Sequence, residues 1–315
     1  MLKNLLEEKR CFKLICGAGN ENEAEVEKLV ALYASAGCKF FDLSAKENIV
    51  DCAKRGLEYA GVSDAELCVS VGIKGDPHVS KAVIDYEKCI HCGHCESVCP
   101  QRAIKYAKVK RIKCIGCGKC AKVCPKKAIT YISEDKDLSE VIPPLVAKGI
   151  SCIEFHVIGE DTPEIEQKWK YLNENFDGIL SISINRMKLS GDSMITRIKK
   201  MTENRTPYTT IIQADGFPMS GGADDYKSTL QAVATAELIQ NEKLPVYILL
   251  SGGTNSKSKE LAKLCGININ GVAVGSYARN IVRKYIERDD FLTNKTIFQE
   301  AQLIAKQLVE ACNGI

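Results

Sequence analysis

Short apolar runs alternate along most of the chain with longer stretches in which apolar residues recur every three or four positions. The longer stretches at 21–37 and 47–61 are typical of amphipathic helices that end at a glycine. The apolar runs predict eight strands, at 11–19, 38–45, 66–73, 151–159, 177–185, 207–216, 244–253 and 270–278.

The alternation of strands and helices predicts the fold class. Each run is nearly continuous in apolar residues, as expected for parallel strands that are covered on both faces. Eight strand–helix units in succession favour an α/β fold of the (β/α)8 TIM-barrel type. An open doubly wound parallel sheet is the alternative, because the number of strands does not establish closure.

The pattern stops after the third strand for about sixty residues, where a second kind of unit begins. We therefore divide the chain into a first part of the barrel at 1–75, an inserted domain at 76–132 and the remainder of the barrel at 133–315. The insertion follows the carboxyl end of a strand, which is the face where barrels of this type place their active sites.

The inserted segment contains an internal repeat of cysteines. Residues 89–99 read CIHCGHCESVC and residues 114–124 read CIGCGKCAKVC, and a proline follows each half. The spacing C-x2-C-x2-C-x3-C-P is typical of two-cluster ferredoxins, in which the last cysteine of each half ligates the other cluster. We predict two [4Fe-4S] clusters, one held by Cys89, Cys92, Cys95 and Cys124 and the other by Cys114, Cys117, Cys120 and Cys99.

Structural zinc is the alternative reading of eight cysteines, but zinc sites more often use ligand pairs separated by a longer loop. The charge of the segment agrees with the iron–sulfur interpretation. Ten Lys or Arg residues and no carboxylate lie between Ser97 and Ser133, and thiolate-bound clusters carry net negative charge.

Composition limits the remaining functions. The net charge of +3 and the absence of an interleaved basic and aromatic stripe argue against binding to nucleic acid or to a membrane surface. No apolar run approaches the length of a membrane span, and the first residues contain no apolar segment of a secretory signal. Sixteen cysteines without such a signal indicate reduced thiols and a cytoplasmic protein.

The ends of the predicted strands carry the candidates for a ligand site. Gly252, Gly253, Gly275 and Ser276 follow strands seven and eight, where many barrels bind phosphate, and we predict a phosphate-bearing cofactor such as FMN there. The alternative is that the glycines only permit tight turns. Asp215, which opens the turn-rich loop 215–222, and the weaker candidates Asp42, His156 and Cys16 could face the same pocket.

No catalytic residue is predicted. The sequence contains no HExxH, no P-loop and no GxSxG, so zinc hydrolysis, Walker-type nucleotide use and the usual esterase arrangement lack support.

Four segments resemble a known family. IIQADGFPMSGG at 211–222, LLSGGTNSKS at 249–258, VAVGSYARNIV at 272–282 and the opening stretch 12–45 are similar to the cyanobacterial light-dependent period (LdpA) family. The two cysteine motifs also fall where that family has its iron–sulfur region. The resemblance implies that the cysteines from Cys89 to Cys124 are cluster ligands, and that the protein senses redox state and passes it to the circadian clock. It implies no catalytic residues.

Two functional hypotheses follow. The first is a redox sensor or electron carrier that acts through a redox protein or a regulatory partner. The second is an iron–sulfur oxidoreductase whose clusters pass electrons to a flavin or another phosphate-bearing ligand at the mouth of the barrel.

Overall fold

A computed structural model describes residues 1–74, 76, 80–133, 137–157, 159, 162–216 and 223–314. Within these residues eight parallel strands surround a common axis, and strands are numbered along the whole chain. The strands of the barrel are β1 Cys11–Ile15, β2 Phe40–Ser44, β3 Glu66–Gly72, β8 Cys152–His156, β9 Ile179–Asn185, β10 Thr210–Asp215, β11 Tyr247–Ser251 and β12 Gly271–Val274.

The sheet is closed because its first strand pairs with its last. In β1, Leu14 is in register with Phe41 of β2 on one side and with Val274 of β12 on the other. The predicted (β/α)8 barrel is thereby confirmed, and closure excludes the open doubly wound sheet. All eight predicted strands are present, but they are shorter than the apolar runs, since the ends of those runs form loops or the start of a helix.

The helices that follow the barrel strands surround the outside of the barrel. In α7, Pro163 occupies the first turn, where its missing N–H is not needed, and the Thr162 hydroxyl accepts a hydrogen bond from the Ile165 N–H. The helices are α1 Leu2–Glu7, α2 Glu23–Ser35, α3 Glu47–Tyr59, α4 His94–Ser97, α5 Lys119–Val123, α6 Leu138–Ala147, α7 Pro163–Asn175, α8 Gly191–Thr202, α9 Tyr226–Asn241, α10 Ser258–Leu264, α11 Ser276–Ile286 and α12 Lys295–Asn313. None of the helices in the described residues is both long and apolar enough to cross a membrane.

The amino-terminal end of the barrel is closed by α1, which the sequence pattern did not predict. Leu2 and Leu6 of this helix are buried against Phe40, Tyr247 and other residues at the bottoms of the strands. Burying one leucine side chain stabilises the fold by about 2 kcal/mol. The amino-terminal end of the barrel is therefore a packed apolar layer, so a ligand site is expected at the carboxyl-terminal end.

The insertion lies between β3 and α6 and contains two small antiparallel sheets. β4 Lys81–Ile84 pairs with β7 Ile129–Ile132, and β5 Ile104–Lys105 pairs with β6 Lys108–Val109. The predicted insertion of a small domain after the third strand is confirmed, and this domain is antiparallel. The predicted domain boundaries at 75/76 and 132/133 stay a prediction, because they adjoin residues 75, 77–79 and 134–136, which are outside the description.

The insert is held on the carboxyl-terminal face of the barrel by polar contacts. The Lys81 ammonium donates hydrogen bonds to the carbonyl oxygens of Gly19 and Cys114, and it forms an ion pair with Glu21 at 3.2 Å. On another side, Arg102 of the insert pairs with Glu287 beyond α11 at 2.6 Å. These contacts fix the cysteine segment beside the loop that follows β1 and beside α11.

Candidate metal centre and barrel cavity

Four cysteines from both halves of the repeat surround one cavity of the insert. This outer cysteine group consists of Cys89, Cys92, Cys95 and Cys124, and the cavity measures about 860 Å³ including the solvent at its mouth. Cys92 is exposed and the other three are partly buried. The cysteine from the second half thus lies with the first three cysteines of the first half, as the predicted crossed arrangement requires.

The other four cysteines, Cys99, Cys114, Cys117 and Cys120, form the inner cysteine group. Cys114 and Cys120 are buried. Burial raises the pKa of the Cys117 thiol, and the nearby Cys99 and Cys120 thiols raise it further. Burial likewise raises the pKa of Cys120, to which Cys114 and Cys99 add. Mutual influence of this kind requires the members of the inner group to lie close together.

The backbone turns that bring these thiols together depend on two glycines. Gly93 and Gly118 occupy equivalent positions in the two halves, immediately before α4 and α5, and both have a φ of 77°. That left-handed conformation is readily adopted by glycine and strained for most other residues. Each glycine lies between the second and third cysteines of its half and lets the chain turn back toward the same cavity.

Backbone N–H groups donate hydrogen bonds to the sulfur of the last cysteine in each half. The distance from the Ala103 nitrogen to Cys99 Sγ is 3.2 Å, and the distance from the Ala128 nitrogen to Cys124 Sγ is 3.3 Å. The inner group has two further contacts, from the Ala82 N–H to Cys114 Sγ at 3.4 Å and between the Tyr131 hydroxyl and Cys120 Sγ at 3.2 Å. Thiol sets with donors aimed at sulfur fit the chemistry of an iron–sulfur cubane.

A second cavity lies at the mouth of the barrel, where it measures about 730 Å³ including open solvent. Gly252, Gly253, Gly275 and Ser276, the predicted cofactor-binding residues, all line it. Gly252 also has a packing role, because a Cβ there would lie 2.8 Å from the Gly216 nitrogen. The tight-turn alternative therefore accounts for this glycine without a ligand, whereas Gly275 has more space around it.

The floor of this mouth cavity carries a network of buried charges. The Lys13 ammonium donates hydrogen bonds to Glu154 and, at 3.0 Å, to Gln213 Oε1, and it lies 3.7 Å from Asp42 Oδ1. Burial opposes the charge of Lys13, but the neighbouring carboxylates, Asp42 foremost, outweigh it and hold the pKa of Lys13 well above its usual value. Such an ammonium stays protonated throughout the physiological range.

His156, the last residue of β8, is held between two carboxylates. Its Nδ1 lies 2.8 Å from Asp76 Oδ2 and its Nε2 lies 3.0 Å from Glu154 Oε1. Burial disfavours the imidazolium, yet these carboxylates raise the pKa of His156 well above its usual value. Burial also opposes the charge of Glu154, but Lys13 and His156 lower its pKa to about 2. The floor is therefore an array of paired charges.

The weaker sequence candidates separate into two groups. Asp42 and Asp215 line the mouth cavity, where Asp42 accepts a hydrogen bond from Ser70 at 2.7 Å and Asp215 accepts one from Ser183. Cys16 is buried in the apolar core and does not line the cavity. Of the loop 215–222, residues 217–222 lie outside the described residues.

Sequence reasoning missed four residues of the cavity and its floor, namely Lys13, Glu154, Gln213 and Arg279. Three of them carry a signal that could have been used. Lys13, Glu154 and Gln213 are polar residues in the middle of apolar strands, where burial is unfavourable unless a partner is present. Arg279 has no such signal, because it lies on an amphipathic helix.

One residue joins the two sites. Ile115, which follows the first cysteine of the second half, lines the mouth cavity of the barrel. The inner cysteine group therefore lies beside the mouth cavity, and the outer group opens to solvent elsewhere on the insert.

The chain matches two family models. Residues 145–313 match the Light dependent period A C-terminal domain, and residues 82–105 and 108–130 match the 4Fe-4S binding domain. The chain is also similar to Light dependent period A of Synechococcus elongatus, with 31% identity over 292 residues, which cover 88% of this chain and 82% of the relative.

Solved structures similar to the chain are distant barrels. Dihydrodipicolinate synthase from Oceanobacillus iheyensis aligns with a TM-score of 0.42 and 9% identity over 96% of this chain and 80% of its own. A flavocytochrome b2 with pyruvate bound aligns with a TM-score of 0.45 and 12% identity over 97% and 65% of the two chains. Similarity at this level carries no functional argument, whereas the two family matches and the shared sequence do. The chain belongs to the Light dependent period A family and has a 4Fe-4S binding domain inserted into its barrel.

Proposed function

We propose that the protein holds two [4Fe-4S] clusters and acts as an electron carrier or redox sensor. The outer cysteine group would hold one cluster and the inner cysteine group the other. The observation that carries the proposal is the shared cavity of Cys124 with Cys89, Cys92 and Cys95, because crossed ligation is the property of two-cluster ferredoxins. When bound, such clusters supply one-electron transfer.

The residues of the chain would give the two clusters different tasks. The outer cysteine group opens to solvent, so it is the accessible entry for electrons. Nine of the ten cationic side chains between Ser97 and Ser133 are exposed and Lys113 is partly buried. This surface suits an acidic redox protein or regulatory partner, which it would attract by complementary charge.

The inner cysteine group offers a route from redox state to conformation. Lys81 contacts the Cys114 carbonyl at 2.8 Å and also binds the loop after β1, so it joins the inner group to the barrel. A cluster becomes more negative when it is reduced, so a reduced inner cluster would attract the Lys81 ammonium more strongly. A sensor of this design would operate in a reducing compartment, which supports a cytoplasmic location.

The test is anaerobic purification followed by iron and sulfide quantification and an EPR-monitored redox titration. About eight irons per chain and two one-electron transitions are expected. About four irons per chain, or two clusters that stay in one redox state across the cellular range of potential, would contradict the proposal.

A second candidate is an oxidoreductase in which the inner cluster delivers electrons to a flavin in the mouth cavity. Ile115 supports it, because a residue of the inner cysteine loop lines that cavity. Gly252, Gly253, Gly275 and Ser276 would contact the phosphate of FMN. The same iron-loaded sample decides between the candidates: released flavin after denaturation supports the enzyme, and fully loaded protein without flavin supports the carrier or sensor.

A further inference from the structure

The mouth cavity contains a buried guanidinium that has no counter-ion among the described residues. Arg279, in the first turn of α11, lines the cavity and is 4% exposed. Its Nη1 donates a hydrogen bond to the Ile15 carbonyl oxygen at 2.6 Å, while its Nε has no partner among the residues that the structure describes. Burial lowers the pKa of Arg279, and Glu25 supports its charge from a distance, without forming an ion pair in the described part of the chain. A buried charge of this kind favours an anion.

Backbone groups around Arg279 provide further donors. Gly275 and Ser276 begin α11 at the cavity, and the N-cap Gly275 has no side chain that could accept hydrogen bonds from the first turn. The amino terminus of this eleven-residue helix therefore directs its partial positive charge and its free N–H groups to the same place. Gly253 and Thr254 line the cavity from the loop after β11.

The carboxylates on the cavity floor do not prevent an anion from binding at this side. Asp42 is engaged by Ser70 and lies near Lys13, and Glu154 is engaged by Lys13 and His156. Lys13 and His156 offset two of the three carboxylates that they contact, Asp42, Glu154 and Asp76. Asp215, which also lines the cavity, is engaged by the hydroxyl of Ser183. The uncompensated positive charge lies at the start of α11, so an anionic group is expected there and a neutral organic part is expected above the floor.

We propose that Arg279, the amino terminus of α11 and the backbone of Gly253 and Thr254 bind the phosphoryl group of an organic phosphate monoester. A planar guanidinium together with a helix amino terminus suits the several oxygens of a phosphoryl dianion. The cavity of about 730 Å³ leaves space for an organic part that would reach toward Ile115 and the inner cysteine group. This site deepens the second candidate function, with which it shares its phosphate-binding backbone, but it does not depend on the clusters and can be tested whatever their content.

The test is isothermal titration calorimetry of the full-length, anaerobically purified protein with inorganic phosphate, FMN and riboflavin. We expect phosphate and FMN to bind and riboflavin to bind at least about tenfold more weakly than FMN, because it lacks the phosphate. Arg279→Gln should weaken phosphate binding at least about tenfold. Arg288→Gln is the matched control, because Arg288 is exposed and paired with Asp290 at 2.9 Å; it should bind like the wild type.

The arms of the titration distinguish the source of the phosphoryl group. FMN that binds more tightly than phosphate supports an ester, and equal affinities support the phosphoryl group as the only recognised part. Iron content, measured on the same samples, separates a failure of this site from a failure of cluster binding.

A measurement on the wild type covers the case in which Arg279→Gln fails to fold after losing its bond to Ile15. Phosphate should slow hydrogen exchange of the backbone amides at 252–254 and 275–277. Unchanged exchange in both segments would overturn the proposal, as would equal phosphate affinities of the wild type and a folded Arg279→Gln variant.

Discussion

The two halves of the cysteine repeat have similar sequences, but the two cysteine groups that they form together have different surroundings. The cavity of the outer cysteine group is open to solvent, and one backbone N–H bond to its sulfurs is present in the described residues. The inner cysteine group has two buried members, two backbone N–H bonds to its sulfurs and a contact with the Tyr131 hydroxyl. Lys81 also attaches it directly to the barrel.

This difference shows that the spacing of the cysteines and the properties of the bound cluster have separate origins. Spacing decides which thiols can reach one cluster, whereas hydrogen bonds and exposure tune its potential and reactivity. Tyr106 and Tyr131 illustrate the point. They occupy equivalent positions of the repeat, yet Tyr106 is exposed and Tyr131 contacts the sulfur of Cys120.

The largest effect is expected from replacing the last cysteine of either half, which in the crossed pairing ligates the cluster of the other half. Cys124→Ser should remove the outer cluster and keep the inner one, because serine is a poor ligand for iron, and Cys99→Ser should do the reverse. Iron should fall from about eight to about four per chain in each variant, as measured by iron and sulfide assays with EPR.

Cys265→Ser is the control for this exchange, because Cys265 is an exposed thiol of the barrel. Its iron content should equal that of the wild type. Loss of the inner cluster in Cys124→Ser would contradict the crossed pairing.

The second prediction concerns the charge network at the floor of the mouth cavity, which lies beside the inner cysteine group. The folded protein binds a proton at His156 more tightly than the unfolded chain does, so the stability from this group is complete below pH 6.5 and is lost as pH rises above it. The loss should reach about 1.4 kcal/mol for each pH unit until His156 deprotonates. Glu154, whose pKa is about 2, contributes only to acid unfolding below about pH 4.5.

The measurement is urea unfolding between pH 6.5 and 9, followed by the fluorescence of Trp169, whose ring stacks on Phe155 next to His156. His156→Gln should cost about 3 kcal/mol at pH 6.5 and should flatten the pH dependence. The control His94→Gln changes an exposed histidine of the insert and should keep the wild-type slope. A slope that persists in His156→Gln would assign the pH dependence to another group.

The third prediction tests whether contact with the barrel protects the cluster of the inner cysteine group from release. An iron chelator should remove the outer cluster of the wild type first. Lys81→Met keeps the length of the side chain but loses its bonds to Gly19, Glu21 and Cys114, so the insert should open more often and release the inner cluster about tenfold faster. Absorbance and EPR during chelation measure both rates.

Lys88→Met provides the matched control, because Lys88 is an exposed lysine of the insert that pairs only with Asp85 in the described contacts, at 2.8 Å. It should release the inner cluster at the wild-type rate. Equal rates of inner-cluster release in the two variants would show that the barrel contact does not protect the inner cysteine group.

The smallest effect is expected from replacing Tyr131 and Tyr106, which occupy equivalent positions of the repeat. A hydroxyl that donates to Cys120 Sγ stabilises the extra negative charge of a reduced cluster, so Tyr131→Phe should lower the midpoint potential of the inner cluster. The shift should be on the order of tens of mV, since about 59 mV corresponds to about 1.4 kcal/mol for one electron. Tyr106→Phe should leave both potentials unchanged in an EPR-monitored titration; equal shifts in the two variants would remove the distinction between the halves.

Much of the fold could be predicted because its signals are local. The apolar runs identified eight strands, and the break after the third run identified the insert. The helix α1 was missed because its six residues are too few to display a helical period. In the mouth cavity, the strand-end rule identified Asp42, His156 and Asp215, whereas Lys13 and Glu154 were passed over as ordinary strand residues, although a charge inside an apolar strand requires a partner.

The sequence by itself determined the eight strand–helix units and the eight cysteines whose spacing suits two clusters, because these depend on periodicity and on distances between neighbours along the chain. The family was indicated by the resemblance of whole segments. Only the tertiary structure decided that the barrel closes, that the inner cysteine group lies against it, and that Arg279 is buried with no counter-ion in the described part of the chain. Those features arise where residues hundreds of positions apart come together, as with Ile15 and Arg279. Burial and charge compensation depend on such long-range packing, so local sequence patterns do not contain them.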